Sequence, residues 1–218
     1  LYSSAASDVY KRQMIGRFIT FEGSEGCGKT TQIQRLSERL KEEGREVLLT
    51  REPGGTGAGE KIRDLLQHAP EGEGLTAEAE VLLFTASRAQ LVREQVLPAI
   101  ERGAYVLADR FLDSTTVYQG VARGLDGPAV AAINRFAVGE CMPDMTFLLD
   151  LPVHEGRRRV SERSPGEEDR MERESDDFFE KVRAGYLDLA DSEPERFIVL
   201  DAMKTPDQIA REIWNYLG

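Results

Sequence analysis

The chain has 218 residues, of which 40% are hydrophobic and 31% are charged, a balance typical of a globular domain and not of a disordered chain. Its net charge of -11, from 28 basic and 39 acidic residues, argues against broad nucleic-acid binding, which requires a basic surface. The longest apolar runs, such as 105–108, are too short to span a bilayer. The distant cysteines Cys27 and Cys141 form no metal-binding pattern and indicate reduced thiols in a cytoplasmic protein.

The first thirteen residues differ from the rest of the chain. Serine and alanine dominate residues 1–13, and no periodicity is present. The stretch lacks the apolar core of a signal peptide, and Met14 follows it directly before a strand-like segment. We therefore expect 1–13 to be a non-native leader and 14–218 to form a single domain.

Along the chain, short apolar runs alternate with longer amphipathic segments, which is the pattern of a parallel sheet covered by helices on both faces. The predicted strands are residues 18–22, 47–50, 105–109, 145–150 and 197–200. The predicted helices are 29–43, 60–67, 77–101 with a break near Pro98, 127–138, 152–162, 176–190 and 206–217. The predicted fold class is α/β with a five-stranded parallel sheet.

A phosphate-binding loop lies between the first predicted strand and the first predicted helix. Residues 23–30 satisfy the pattern G-x-x-x-x-G-K-[ST]. Glycines let backbone N–H groups face phosphate oxygens, and the helix N-terminus adds its positive dipole end. We expect Lys29 to reach the β- and γ-phosphates of ATP and the Thr30 hydroxyl to bind Mg²⁺. The residues predicted to bind ATP are Gly23, Ser24, Glu25, Gly26, Cys27, Gly28, Lys29, Thr30 and Thr31.

Three further features indicate a second, phosphorylated ligand. Arg51 ends the second strand and begins Arg-Glu-Pro-Gly-Gly-Thr, a position where open parallel sheets bind ligands. Asp109 and Arg110 end the third strand, where an acidic residue suits a Mg²⁺ site and an arginine can hold phosphate. Phe84 and Arg88 share one helix face and suit a planar base. Each feature alone also has a structural explanation. Pro-Gly-Gly could be a simple turn, Asp109 could cap a helix, and Phe84 could be a core residue.

These segments together resemble the thymidylate kinase family, and the resemblance covers nearly everything after Met14. It is carried by residues 21–32, 51–56, 83–90, 109–120 and 169–186. The resemblance implies the P-loop nucleoside monophosphate kinase fold with a short lid. It also implies transfer of a phosphoryl group from Mg²⁺-bound ATP to dTMP, within dTTP biosynthesis, by a cytoplasmic homodimer.

The resemblance also assigns roles to individual residues. Arg51 and Arg110 would hold the acceptor's 5′-phosphate, and Phe84 would stack on thymine while Arg88 bonds to the base edge. Tyr118 would crowd the 2′ carbon of the sugar, and the bond between Glu52 and Pro53 is often cis in such enzymes. Residues of the implied dTMP site are Glu25, Arg51, Phe84, Arg88, Arg110, Ser114, Thr115, Tyr118 and Gln119.

The predicted lid spans about 156–172 and is rich in arginine. Some family members carry a basic residue at positions 24–27 of this loop, in addition to the lysine at 29. This chain has Ser, Glu, Gly and Cys there, so the missing charge should come from the lid. Arg159 and Arg163 match the lid arginines of the bacterial enzymes best, although a solvated charged face would also explain them. The predicted catalytic residues are Lys29, Arg51, Arg110, Arg159 and Arg163, and the predicted metal ligands are Thr30 and Asp109.

The expected reaction is in-line attack by an acceptor phosphate oxygen, which is already anionic and needs no strong general base. His68 and His154 accordingly lie in no recognisable catalytic pattern. Two alternatives remain at this stage. One is a kinase for another monophosphate, such as UMP or CMP, and the other is a P-loop GTPase switch or ATPase. No guanine-reading Asn-Lys-x-Asp sequence is present to favour the switch.

Overall fold

The computed structural model describes residues 16–163 and 169–217, so the predicted leader at 1–13 lies outside the described residues. Within them, the strands are β1 Phe18–Glu22, β2 Val47–Arg51, β3 Tyr105–Asp109, β4 Met145–Asp150 and β5 Phe197–Asp201. Neighbouring strands are parallel, in the order β2-β3-β1-β4-β5. The predicted five-stranded parallel sheet is confirmed, with β1 at its centre.

The helices alternate with these strands, as the sequence pattern predicts. In chain order they are α1 Lys29–Glu42, α2 Gly57–Gln67, α3 Ala77–Leu91, α4 Leu97–Glu101, α5 Leu112–Thr115, α6 Gly127–Val138, α7 Val153–Arg163, α8 Asp176–Ser192 and α9 Pro206–Asn215. Helix α2 begins three residues before its predicted start because the Thr56 side chain accepts a hydrogen bond from Gly59 N and caps it.

The long predicted helix at 77–101 is interrupted slightly before Pro98. Helix α3 ends at Leu91, and a wide π-helical turn, Val92–Val96, precedes α4. Proline has no N–H to donate to the carbonyl four residues earlier, so the helical turn before Pro98 widens.

Helix α5 and the π-helical turn Thr116–Ala122 that continues it have no counterpart among the predicted elements. The sequence 112–122 contains threonine, valine and glycine, which are weak helix formers. Its helical form depends on packing, because Val117 and Tyr118 are buried against α8. This segment carries several of the predicted binding residues.

Helices cover both faces of the sheet, as predicted. Ile19 and Phe21 of β1 face a core formed with α1 and α9, whereas Phe18 faces the core formed with α3 and α6. This opposition follows from the alternation of side chains along a strand. A third cluster forms where Val182 and Tyr186 of α8 pack beside β4.

Among the described residues, no helix is both long enough and apolar enough to cross a membrane.

Candidate active site

A cavity of about 600 Å³ opens at the carboxyl ends of β1, β2 and β3. Parallel sheets bind ligands at this edge, because the loops after neighbouring strands meet there. Most of the predicted site residues line this one cavity: Glu25, Gly26, Gly28, Lys29, Thr30, Thr31, Arg51, Phe84, Asp109, Arg110, Ser114, Thr115, Tyr118, Gln119, Arg159 and Arg163. Gly23, Ser24, Cys27 and Arg88 are the predicted residues that do not line it.

The phosphate-binding loop curls around the side chain of Lys29. The Lys29 Nζ donates to the carbonyl oxygens of Gly23 at 3.1 Å and Ser24 at 3.0 Å. Gly28 adopts φ 96°, a left-handed conformation that lets α1 begin directly after the turn. Cys27 is buried beneath the loop, and this burial raises the pKa of its thiol. Cys27 therefore supports the loop from below and does not face the cavity.

Two oxygen groups lie in contact at the mouth of the loop. The Thr30 hydroxyl donates to Asp109 Oδ2 at 2.9 Å, and both residues line the cavity. A hydroxyl and a carboxylate are hard oxygen ligands of the kind that Mg²⁺ prefers when substrate phosphates and water complete its shell. The residues present therefore fit the implied metal.

Arg110 lies at the end of β3 and joins the loop to the opposite wall. Its Nη2 donates to Glu25 Oε1 at 2.5 Å and to Tyr118 OH at 3.1 Å, while Nη1 donates to Ser114 Oγ at 3.2 Å. Its φ of 70° is unfavourable for a residue with a side chain, and such strain is common at functional sites. Although burial raises the pKa of Glu25, Arg110 and then Lys29 lower it to about 2.

Arg51 is more exposed, and its Nη2 donates to Glu60 Oε2 at 2.9 Å on α2. Two residues of the same helix, Arg63 and Gln67, also line the cavity and were not predicted. Burial, and then the nearby Arg51, lowers the pKa of Arg63. The helical spacing of Glu60, Arg63 and Gln67 is a signal that could have placed these polar groups on one face.

Arg88, predicted to bond to the base edge, has a buried side chain. The side chain is 1% exposed, and its guanidinium donates to Glu52 Oε2, to Asn134 Oδ1 at 2.8 Å and to Thr115 Oγ1 at 3.0 Å. Arg88 thus lies behind the cavity wall and holds Thr115, which faces the cavity. Burial raises the pKa of Glu52 to about 7 against the opposing charge of Arg88. The peptide bond after Glu52 is cis, as the resemblance implied.

A buried carboxylate organises the wall on the other side of Arg110. Glu22, at the end of β1, accepts hydrogen bonds from Ser114 Oγ and Tyr186 OH, each at 2.7 Å, and from Phe111 N at 2.8 Å. Burial raises the pKa of Glu22. Neither Glu22 nor Tyr186 was predicted as a site residue, because their importance depends on contacts between distant elements.

Helix α7 brings two of its arginines to the cavity. Arg159 Nε donates to Glu155 at 2.7 Å and Nη1 to Ala202 O at 3.2 Å, while Arg163 contacts Glu172 at 3.3 Å. Arg158 instead pairs with acidic residues of its own helix and does not line the cavity. Residues 164–168 of the predicted lid lie outside the described residues.

Close packing at two glycines lets the phosphate-binding loop touch the start of α7. A Cβ on Gly26 would lie 2.6 Å from Gly156 O, and a Cβ on Gly156 would lie 2.7 Å from Glu25 O. Both distances are too short for a real side chain. The loop and α7 therefore meet backbone to backbone, which places the arginines of α7 beside the loop.

The chain is similar to several known proteins. A family model described as thymidylate kinase matches residues 21–213. The thymidylate kinase of Syntrophotalea carbinolica is 49% identical over 201 residues, covering 90% of this chain and 93% of that protein. That of Deinococcus radiodurans is 49% identical over 200 residues, covering 91% and 95%. The crystal structure of thymidylate kinase from Ehrlichia chaffeensis matches with a TM-score of 0.75 and 33% identity, covering 93% and 98%.

Proposed function

The chain belongs to the thymidylate kinase family and phosphorylates dTMP to dTDP with ATP, and we propose that the cavity at the carboxyl ends of β1, β2 and β3 is where this occurs. The observation that carries the proposal is that one cavity holds two sets of anion-binding groups. The phosphate-binding loop forms one set, and Arg51 with Arg110 forms the other. Family membership also decides against a GTPase switch and against a kinase for UMP or CMP.

On the donor side, the loop residues Gly23–Thr30 and Thr31 bind the phosphates of ATP. The Lys29 ammonium exchanges its contacts with loop carbonyls for phosphate oxygens. Arg159 and Arg163 of the lid, about 156–172 within the single domain, add the positive charge that the loop lacks at Ser24–Cys27. Closing this segment over the site would also exclude water and limit ATP hydrolysis.

Thr30 and Asp109 would hold Mg²⁺. When bound, the ion would supply positive charge that offsets the negative charge of the ATP phosphates. The direct contact between the Thr30 hydroxyl and Asp109 supports this assignment. Replacement Asp109→Asn should raise the Mg²⁺ concentration needed for half-maximal rate, and an unchanged requirement would contradict the assignment.

On the acceptor side, Arg51 and Arg110 bind the 5′-phosphate of dTMP. Phe84 and Thr115 face the base, Tyr118 faces the sugar, and Arg88 acts from behind by holding Thr115. Glu25, Ser114 and Gln119 complete this wall. An oxygen of the dTMP phosphate attacks the γ-phosphorus of ATP in line, the bond from that phosphorus to the β,γ-bridging oxygen breaks, and ADP leaves with its electron pair. Catalysis consists of positioning and charge neutralisation without a general base.

Steady-state kinetics of Arg51→Ala test the acceptor assignment. The variant should raise the KM for dTMP and leave the KM for ATP close to that of the wild type, because Arg51 is held by Glu60 of α2 and is assigned to the acceptor phosphate. The exposed Arg45→Ala is the control, since Arg45 does not line the cavity. A variant Arg51→Ala with unchanged KM for dTMP would remove this residue from the site.

We also propose a homodimer in the cytoplasm. Phe136 of α6 is 85% exposed and Leu82 of α3 is 55% exposed, and these two helices pack against each other. Large apolar side chains exposed on adjacent helices suit a protein interface. Sedimentation of Phe136→Glu should show a shift toward monomer. A cytoplasmic location agrees with ATP as substrate and with the two free cysteines.

A further inference from the structure

Glu80 is a buried carboxylate outside the predicted site. It lies near the start of α3, is 1% exposed, and has hydrogen-bond partners on both oxygens. Although burial raises the pKa of Glu80, hydrogen bonds from Gln119 and Arg170 lower it below its ordinary value. The side chain is thus a buried anion, and such groups are retained only where their partners are held in place.

One oxygen of Glu80 contacts the acceptor wall. The Gln119 Nε2 donates to Glu80 Oε1 at 2.9 Å, and Gln119 is itself buried while lining the cavity. Arg123, one turn further along, donates to the same oxygen at 3.3 Å. The orientation of the Gln119 amide therefore depends on Glu80.

The other oxygen of Glu80 contacts residues 169–175, the return segment that follows the lid helix. Arg170 Nη2 donates to Glu80 Oε2 at 2.5 Å, and Arg170 Nε donates to Leu66 O at 2.8 Å. Arg123 adds a second tie, because its Nη1 lies 2.7 Å from Glu174 Oε1. The return segment is thereby held against α2 and α3.

The return segment continues to the donor side of the cavity. Asp169 and Glu172, on either side of Arg170 and Met171, line the cavity. Glu172 Oε1 accepts a hydrogen bond from Arg163 Nη2, and its other oxygen accepts from Asp169 N at 3.2 Å. A continuous set of contacts therefore runs from Gln119 through Glu80 and the return segment to Arg163.

We propose that Glu80 is a positioning residue that couples the acceptor wall at Gln119 to the lid arginine Arg163. This inference rests on the proposed roles of Gln119 and Arg163. It adds that the two sites are linked through one carboxylate that touches neither substrate. Through these contacts with Glu80, ordering of the acceptor wall also places Arg163 correctly. The phosphoryl group of ATP is then transferred to dTMP, and ATP hydrolysis is limited.

The test is Glu80→Gln, which keeps the size of the side chain but removes its charge. Residues along such a network change coupling by about 0.5–2 kcal/mol, which is about 2- to 30-fold. We expect the ratio of dTDP formed to ATP consumed to fall, kcat to fall by that factor, and the KM for ATP to stay constant. Assays run well below the Tm of the variant separate this effect from loss of folded protein.

Glu73→Gln is the matched control. Glu73 is an exposed acid that pairs with Arg173 of the same return segment. Its replacement removes the same charge as Glu80→Gln but no contact with Gln119. The control should keep the wild-type ratio of dTDP to ATP. A second variant, Arg170→Met, should reproduce the loss, and the double variant with Glu80→Gln should be no worse than the more impaired single variant.

Two results would overturn the inference. One is a Glu80→Gln enzyme with lowered Tm but a wild-type ratio of dTDP to ATP, since this is what a purely structural role produces. The other is additive losses in the double variant. Failure of the underlying assignment is distinguishable, because Arg163→Ala would then keep the wild-type kcat whatever Glu80→Gln does.

Discussion

The proposed donor and acceptor sides of the cavity would hold anions by different means. The proposed donor side combines one short loop, whose Lys29 hydrogen-bonds to atoms of the same loop, with the lid arginines Arg159 and Arg163. The proposed acceptor side uses Arg51 and Arg110 together with a buried polar network. In that network Glu22 of β1 bonds to hydroxyl groups of α5 and α8, and Arg88 of α3 bonds to Asn134 and Thr115. The hydrogen bonds of Lys29 are therefore local in sequence, whereas those of Glu22 and Arg88 join parts of the chain that are far apart.

The consequence is a different relation between function and stability on each side. We expect replacement of Lys29 in the donor loop to change the reaction rate with only a small effect on folding. Residues of the acceptor wall affect both, because a buried charge that loses its partner is costly. The predictions that follow test this difference in order of expected effect.

The largest effect is expected from removing the lid charge on the donor side. The double variant Arg159→Ala and Arg163→Ala should lower kcat by about 10³–10⁵-fold, the value of an arginine supplied to a transferring phosphoryl group. Its Tm should change little, since both side chains are partly exposed. Steady-state kinetics and thermal unfolding measure the two quantities.

Arg158→Ala is the control for the lid variant, because Arg158 lies on the same helix but pairs with Glu155 and Glu162. It should retain the wild-type kcat. A double variant with wild-type kcat would show that α7 presents only a solvated charged face.

The next effect concerns stability on the acceptor side. Arg88→Met leaves Glu52 buried without its cation and should lower the free energy of unfolding by about 3–5 kcal/mol. Urea unfolding measures this change. The surface pair of Arg102 and Glu46 is the control, and Arg102→Met should cost no more than about 1 kcal/mol.

Lys29→Met gives the matching measurement on the donor side. It should lower kcat by about 10²–10³-fold with a smaller loss of stability than Arg88→Met. Equal losses of stability from the two variants would remove the distinction between the two sides.

The smallest effect is a pH dependence at the contact between the two sides. Arg110 and Lys29 lower the folded-state pKa of Glu25 to about 2 from an ordinary 4.5. The folded form thus binds fewer protons than the unfolded form in this range. The stabilisation is complete above about 4.5 and is lost as the pH falls toward 2. Glu25→Gln should flatten the fall in stability across this window, as measured by urea unfolding, and an unchanged slope would contradict the pairing.

Local patterns in the sequence predicted most of the secondary structure. All five strands were located correctly because each is a short apolar run between helical segments. The segment 112–122 was missed, since its helix propensity is weak and its helical form comes from burial against α8. The break in the long helix was placed near Pro98, a few residues late, because the preceding turn is the part that widens.

The site residues also fall into those that a local sequence pattern predicts and those that depend on distant contacts. Residues with a contiguous pattern, such as Lys29 and Thr30, could be assigned roles from spacing and chemistry alone. Arg88 was assigned to the base from its position on a helix face, but the structure places it behind the wall in contact with Glu52. Glu22 and Glu80 were absent from the prediction because their contacts join parts of the chain that are far apart in sequence. Arg63 was also absent, although its helical spacing from Glu60 could have placed it on the same face.

The sequence by itself determined the phosphate-binding loop, the alternation of strands and helices, and the resemblance that pointed to thymidylate kinases. These features depend on neighbouring residues, so a local pattern is enough to specify them. The strand order, the buried network behind the acceptor wall, and the contact path from Gln119 through Glu80 to Arg163 were decided only by the tertiary structure. Burial and pairing of charges are properties of the packed fold, because they depend on which distant groups exclude water together.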